Sequence, residues 1–243
     1  MMLWLRSAAY MAWLVLSVIP YAIAVLLLSP FVRGRTLYRF CVGWVSFALW
    51  GAQVVCGIRR RVHGMENLPD GPLILLPKHQ SAWETLALPV LMPRPLSYVF
   101  KRELLFVPFF GWALGRLDMV HIDRTRGTEA FGRVAEQGAE LLRKGYWIIM
   151  FPEGTRTARG RKGSYKLGGA RLAVMTDTPV VPIAITSARC WPRQAFIKRP
   201  GVIDVSIGQP IAPAGRSAAE LMQLVEDWVE AEMHRLDADA YRR

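Results

Sequence analysis

Apolar positions fall along the chain in two different ways. Residues 7–32 are almost uninterruptedly apolar and end in SPFVRGR, residues 40–58 form a second apolar block, and no acidic residue precedes Glu66. Beyond Arg59 the pattern changes to short apolar runs alternating with amphipathic ones. IRRRVHG leads into the turn NLPDGP. LILLP then reads as a buried strand, ETLALPVLM as a helix, LSYVFK as a strand, FFGWALGRL as a helix and DMVHI as a strand. TEAFGRVAEQGAELLRKG is a long helix closed by Gly145, followed by strand YWIIMF, helix YKLGGARLAVMT and strands VVPIAIT and VIDVSIG. The last helix opens at SAAE, where Ser217 and Glu220 are spaced for a capping box. This alternation predicts an α/β fold, a largely parallel or mixed sheet with packed helices. The chain divides into an N-terminal helical hairpin over 1–58 and one catalytic-size domain over 59–243.

The hairpin is expected to be membrane-associated. At 1.5 Å per residue its two blocks reach roughly 39 and 28 Å, against a hydrocarbon core about 30 Å thick, so length permits two spans. Charge argues otherwise. Arg33, Arg35 and Arg39 lie between the blocks and Arg59, Arg60 and Arg61 follow the second, so two spans would put the clusters on opposite sides of the bilayer. A shallow hairpin in one leaflet lets both clusters meet anionic headgroups on one face. The stripe Gly43, Ser46, Trp50, Gln53 and Gly57 suits either helix–helix contact or the outward side of an interfacial helix. A cleaved leader is the competing reading, because Ala22-Ile23-Ala24 resembles a cleavage site. The apolar run continues past it into a second block, which argues against cleavage.

Composition sharpens the choice of partner. The chain is 52% hydrophobic, with the excess before Arg59, and carries a net charge of +12. An anionic partner follows: nucleic acid, acidic lipid headgroups or a phosphorylated substrate. Three cysteines, Cys41, Cys56 and Cys190, make neither a disulfide framework nor a zinc site and fit packing roles in a reducing compartment.

Two stretches carry candidate chemistry. KHQSAWE, from Lys78 to Glu84, falls at the end of a strand, where α/β folds place reactive groups. On one straight helix His79 and Glu84 would sit about 140° apart and could not meet. With His79 at the strand end and Glu84 in the first helical turn, the loop can fold them into a dyad whose carboxylate fixes the imidazole tautomer. The alternative is a capping glutamate near an unrelated histidine. Ser81 lacks the glycines of a nucleophile elbow and reads as a loop or N-cap residue. The second stretch, FPEGTRTARGRKG, opens from a strand end and places Glu153, Gly154 and Arg156 side by side. The Arg156 fork suits a phosphate and Glu153 suits a substrate hydroxyl. The Gly-Lys-Ser/Thr ending of a nucleotide loop is missing, and a solvated basic loop accounts for Arg159, Arg161 and Lys162. Lys101 and Arg102 follow another strand, and the apolar residues after them fit a lipid groove as well as a core. Arg124 in HIDRTRG is a weaker phosphate candidate.

Together these stretches resemble the glycerolipid acyltransferase family. Its marks are a His-x4-Asp motif, a basic block, Phe-Pro-Glu-Gly-x-Arg and an apolar Val-Pro block. Here they correspond to His79…Glu84, Phe100-Lys101-Arg102-Glu103-Leu104, Phe151 to Arg156 and Val180-Val181-Pro182-Ile183, in the same order between about Arg59 and Ser187. Glu84 departs from the usual Asp by one methylene, which leaves its role but alters its geometry. The resemblance implies acyl transfer from a thioester, acyl-ACP or acyl-CoA, to the sn-2 hydroxyl of 1-acyl-glycerol-3-phosphate. It makes His79 the general base and Glu84 its orienting carboxylate. Glu153 and Gly154 would help hold the glycerol portion, and Lys101, Arg156 and Arg124 the phosphate. It implies no tightly bound cofactor, no metal and no nucleic acid. The expected partners are lysophosphatidate, anionic membrane lipid and an acyl carrier protein or coenzyme A thioester, at the cytoplasmic face of a bacterial inner membrane. Glycerol-3-phosphate or another lysolipid is the alternative acceptor. A membrane-tethered nucleic-acid-binding protein and a metal-dependent hydrolase are the competing classes.

Overall fold

The structure is a computed structural model describing residues 1–122 and 127–242. Two apolar helices lead the chain, α1 (Met2–Leu28) and α2 (Gly34–Cys56), each long and apolar enough to cross a membrane by length and composition. They pack antiparallel. Tyr10 Oη donates to Ala48 O at 3.1 Å, Trp44 Nε1 to Ser17 Oγ at 3.1 Å and Tyr21 Oη to Phe40 O at 3.0 Å. Of the stripe, Ser46 and Gln53 are exposed, while Gly43 and Trp50, though exposed, also lie beside Tyr21 and Trp13 of α1; Ala48, Leu49, Gly51, Ala52 and Cys56 form the buried side of α2. At Gly51 a Cβ would lie 2.7 Å from Trp13 Nε1, so only glycine allows this approach.

After the hairpin, strands and helices alternate. They are β1 (Ile58–His63), β2 (Ile74–Pro77), α3 (Trp83–Leu91), β3 (Leu96–Lys101), α4 (Phe110–Leu114), β4 (Val120–Ile122), α5 (Gly127–Arg143), β5 (Trp147–Ile149), α6 (Gly168–Thr176), β6 (Val180–Ile185), β7 (Gly201–Ile207), α7 (Ala218–Leu236) and the short α8 (Ala238–Tyr241). One seven-stranded sheet has the order β1-β7-β6-β2-β5-β3-β4. Its strands pair in parallel except β6 with β7, which are antiparallel, so β1 and β7 run against the other five. The architecture is therefore the mixed α/β sheet with packed helices that the alternation predicts. IRRRVH, which the apolar pattern does not mark as a strand, forms the edge strand β1, with its three arginines exposed. The helix expected over FFGWALGRL shrinks to α4, because Phe109 adopts φ 61° and Gly111 is pressed against Leu104 O with no room for a Cβ. The capping box at α7 is present: Ser217 and Glu220 each bond the other's backbone amide.

The sheet is buried on both faces, and alternate residues of each strand enter different layers. Leu75, Ile149, Val181 and Ile183 pack on one side with α3 and with Tyr10, Tyr38, Leu49, Ala52 and Cys56 of the hairpin. Ile74, Leu76, Ile148 and Val180 pack on the other with residues of α5, α6 and α7. The hairpin thus forms one outer layer of the domain's own core. Both of its ends are tied down. Near the start of α1, Arg6 Nε donates to Val55 O at 2.6 Å and Ser7 Oγ accepts from Lys198 N at 2.9 Å. Near the turn, Arg35 Nη2 donates to Lys144 O at 2.6 Å.

Candidate active site

The central strand β2 ends at Pro77, and the loop that follows delivers Lys78, His79, Gln80 and Ser81 to the start of α3. Glu84 lies in the first turn of α3 and is fully buried. Its Oε1 faces the loop and accepts from Gln80 N at 2.5 Å and Ser81 N at 2.7 Å, and lies 3.1 Å from His79 Nδ1. A carboxylate gripping two backbone amides is a fixed acceptor. It is placed to accept a proton from Nδ1, the arrangement in which Nε2 carries the free lone pair. The ring plane is set from the other side, where Phe151 stacks on His79 with centroids 3.8 Å apart and planes 20° apart. Ser81 Oγ accepts from Trp83 N at 3.0 Å, which commits this buried hydroxyl to starting the helix.

Lys78 points the opposite way, into the protein. Its Nζ is fully buried and lies 2.8 Å from Glu153 Oε1 and 2.6 Å from Glu230 Oε1 of α7. Tyr165 Oη donates to the same Glu230 oxygen at 2.8 Å. Burial, and then the Glu230 and Glu153 carboxylates, hold the Tyr165 phenol far above its ordinary pKa, so it stays a donor. Glu153 Oε1 also accepts from Gly163 N at 3.1 Å, and its Oε2 accepts from His79 N at 2.9 Å. Thr157 completes the brace, its amide donating to His79 O at 2.8 Å. Glu153, expected beside a substrate hydroxyl, has a fully buried side chain with both oxygens engaged by protein groups. Its geometry makes it the strut that locks the FPEGTR loop to the backbone of His79.

His79 lines an open cleft of about 320 Å3 with Lys101, Phe151, Gly154, Thr155, Arg156 and Arg193 among its walls. Lys101 comes from the end of β3, and Gly154 turns the loop at φ 67°, a left-handed conformation that favours glycine. The lining holds three cations, Lys101, Arg156 and Arg193, and no carboxylate, a charge balance that suits an anionic group. Arg124 lies outside the described residues. Thr85, Tyr98, Phe100, Leu104 and Arg156 are shared with a neighbouring cavity of about 310 Å3. That cavity is walled by apolar residues of α1, α2, α3 and α4, including Val18, Val25, Val45 and Leu114. The structure therefore brings His79, Glu84, Lys101, Gly154 and Arg156 to one place.

Three participants escape the reading of the sequence. Lys78 had a signal, since a lysine directly after the buried run LILLP needs an internal partner. Its partners Glu153 and Glu230 lie 75 and 152 residues away, so no local pattern could name them. Arg193 enters the cleft from the segment after β6 and donates from Nη1 to Arg156 O at 2.7 Å; nothing in WPRQ marks it.

Comparison with known proteins agrees with this geometry. The acyltransferase family model matches residues 59–186. The chain is 46% identical over 210 residues to 1-acyl-sn-glycerol-3-phosphate acyltransferase of Pseudomonas aeruginosa, covering 85% of this chain and 81% of that protein. It is 28% identical over 199 residues to human 1-acyl-sn-glycerol-3-phosphate acyltransferase alpha, covering 80% and 69%. The crystal structure of the 1-acyl-sn-glycerophosphate acyltransferase of Thermotoga maritima superposes with a TM-score of 0.79 at 27% identity, over 96% of this chain and 95% of that one. A family model spanning over half of the chain, together with a relative 46% identical across most of it, makes this chain a member of the acyltransferase family.

Proposed function

We propose that the chain transfers an acyl group from a thioester to the sn-2 hydroxyl of 1-acyl-glycerol-3-phosphate, giving phosphatidic acid, with His79 as general base and Glu84 as its orienting carboxylate. The observation that carries this reading is the 3.1 Å contact of the buried Glu84 with His79 Nδ1, at the edge of a cleft lined by Lys101, Arg156 and Arg193. The names of the relatives support the choice of acceptor. The acceptor hydroxyl passes its proton to His79 Nε2 as its oxygen attacks the thioester carbonyl. Glu84 stabilises the imidazolium that forms. The C–S bond then breaks, and the departing thiolate takes up the proton from His79. No resident cofactor enters these steps; acyl-ACP or acyl-CoA is a co-substrate. The cations hold the acceptor's phosphate, and the adjoining apolar cavity suits an acyl chain.

The hairpin keeps this site at a membrane surface. A pair of helices spanning a bilayer would carry its turn roughly 30 Å from the domain. Instead Arg35 at the turn and Ser7 at the opposite end both hydrogen-bond the domain, which supports a hairpin lying in one leaflet. Its outer face offers Leu16, Leu27, Phe47 and Trp50 to lipid. The three free cysteines fit the cytoplasmic side.

The test is turnover by the purified protein in neutral micelles, supplied with acyl-CoA or acyl-ACP and offered lysophosphatidate, phosphate-free lysolipids and glycerol-3-phosphate. Phosphatidate should form from lysophosphatidate, and His79→Ala should lower the rate by about 10²–10⁴-fold. Unchanged turnover in that variant would refute the base assignment, and preference for glycerol-3-phosphate would refute the acceptor.

A further inference from the structure

A second cationic cleft lies at the turn end of the hairpin and shares no residue with the catalytic cleft. It measures about 540 Å3 and runs between the start of α2, the α3–β3 connection and the turn between α5 and β5. Arg35 and Arg39 of α2 and Arg94 of the connection line it, no carboxylate does, and Val42, Val90 and Met92 supply an apolar wall. Arg35 is fixed in place. Its Nη2 donates to Lys144 O, and a Cβ on the neighbouring Gly145, whose φ is 79°, would overlap the guanidinium. Arg39 is exposed and has no hydrogen-bond or ion-pair partner among the described residues. Among the described residues Arg94 meets only Asp70, at 3.6 Å, and that carboxylate is fully exposed to solvent. With Arg94 offset only by that solvent-screened carboxylate, three guanidinium groups facing one space repel one another, and an entering anion relieves that repulsion.

The surroundings define what kind of anion fits. Phe31, at the hairpin turn, is 87% exposed, and Leu27 and Leu28 beside it are exposed as well. The cleft also shares Tyr38, Val42 and Pro89 with the apolar cavity that adjoins the catalytic site. An anion bound here lies against the apolar wall of Val42, Val90 and Met92, which suits a phosphate attached to hydrocarbon better than a free ion or a nucleic acid backbone.

We propose that the Arg35, Arg39 and Arg94 cleft binds the phosphate of an anionic glycerophospholipid of the bilayer, separately from the acceptor phosphate in the catalytic cleft. This rests on the membrane-surface reading above, and it needs no assumption about the reaction. The fixed Arg35 sets the headgroup position, and Arg39 and Arg94 close on it from either side. Such a site ties the turn end of the hairpin to the headgroup layer of the leaflet that receives its apolar face.

The experiment measures binding and not turnover, so the outcome for acyl transfer does not bear on it. The full chain in nonionic detergent is titrated by calorimetry with dihexanoylphosphatidylglycerol below its micellar concentration, and with dihexanoylphosphatidylcholine as the zwitterionic control. Saturable binding of the anionic lipid is expected, at least tenfold weaker in Arg39→Gln/Arg94→Gln and retained in Arg156→Gln. Should the double variant fold poorly, the single exposed change Arg39→Gln is expected to weaken binding at least threefold. Equal binding by these variants and the parent, or equal binding of the zwitterionic lipid, would overturn the proposal. Displacement by inorganic phosphate at the same concentration as the lipid would make this a free-anion site, and loss in Arg156→Gln alone would put the lipid in the catalytic cleft; either result also overturns it.

Discussion

Replacing Glu84 by Gln tests the dyad with little change of shape. Three donors converge on Glu84 Oε1, from the backbone amides of Gln80 and Ser81 and from His79 Nδ1. An amide oxygen can still accept all three, so the loop should keep its path. Two things change. The amide nitrogen takes the place of Oε2, a buried atom with no hydrogen-bond partner among the described residues, and an unpaired buried donor costs about 1–3 kcal/mol of stability. The negative charge 3.1 Å from the imidazole is also lost. With an effective dielectric constant near 20 that charge favours an imidazolium by about 5 kcal/mol, an upper bound because the His79 side chain remains 12% exposed. At 1.36 kcal/mol per tenfold the loss in kcat should be about 10²–10⁴-fold. Glu84→Asp keeps the charge but shortens the reach by about 1.5 Å, loosening the grip on the two amides. It should lose roughly ten- to a hundredfold, always less than Glu84→Gln. The assay is thiol release from acyl-CoA with lysophosphatidate, alongside thermal melts. A folded Glu84→Gln protein as active as Glu84→Asp would refute the argument that the carboxylate's charge serves His79.

Three further outcomes are expected. Arg193→Ala should raise KM for lysophosphatidate about tenfold, the worth of a charged hydrogen bond, with little effect on a phosphate-free lysolipid; equal losses on both would reduce Arg193 to a prop for the Arg156 carbonyl. Lys78→Met should destabilise the fold by about 3–5 kcal/mol, since it leaves two buried carboxylates unpaired, and adding Glu153→Gln and Glu230→Gln should restore part of it in denaturant titrations. Asp237 is buried, which alone would raise its pKa, but hydrogen bonds from Arg159 and Arg189 outweigh burial and hold the carboxyl below its ordinary range. Its contribution is therefore complete above the ordinary carboxylate pKa near 4 and is lost as pH falls through the lower folded value. Asp237→Asn should melt well below the parent at pH 7 and progressively less so as the medium becomes acidic; a gap that ignores pH would exclude the ion pairs as its cause.

The legible parts of the molecule were those written in local pattern. The alternation of apolar runs marked β2, β3, β5, β6 and β7, and the five-residue offset of His79 and Glu84 across a strand end marked a possible contact. The edge strand β1 was hidden because its outward positions are arginines, and an edge needs few apolar residues. The reversal of β1 and β7 is set by pairing between Ile58–His63 and Gly201–Ile207, remote in sequence. The same distance hid the Lys78 cluster. Glu153 shows the opposite limit: its motif was plain, but whether its oxygens face substrate or the protein depends on Lys78, Gly163 and the His79 amide, which meet only in the fold.

The way the hairpin is held has a mechanical consequence. A helix pair that crosses a bilayer must match its thickness, and tilts or stretches when it does not. A pair lying flat in one leaflet, as proposed for this hairpin, is indifferent to thickness. It occupies area instead: with α1 of 27 residues, about 40 Å long, and two helices each some 10 Å wide, each molecule claims on the order of 800 Å2 of one leaflet only. Docking is then work done against lateral pressure. On that reading the enzyme should gather where headgroups are loosely packed, on strongly curved vesicles, and every molecule that docks expands one side of the membrane relative to the other.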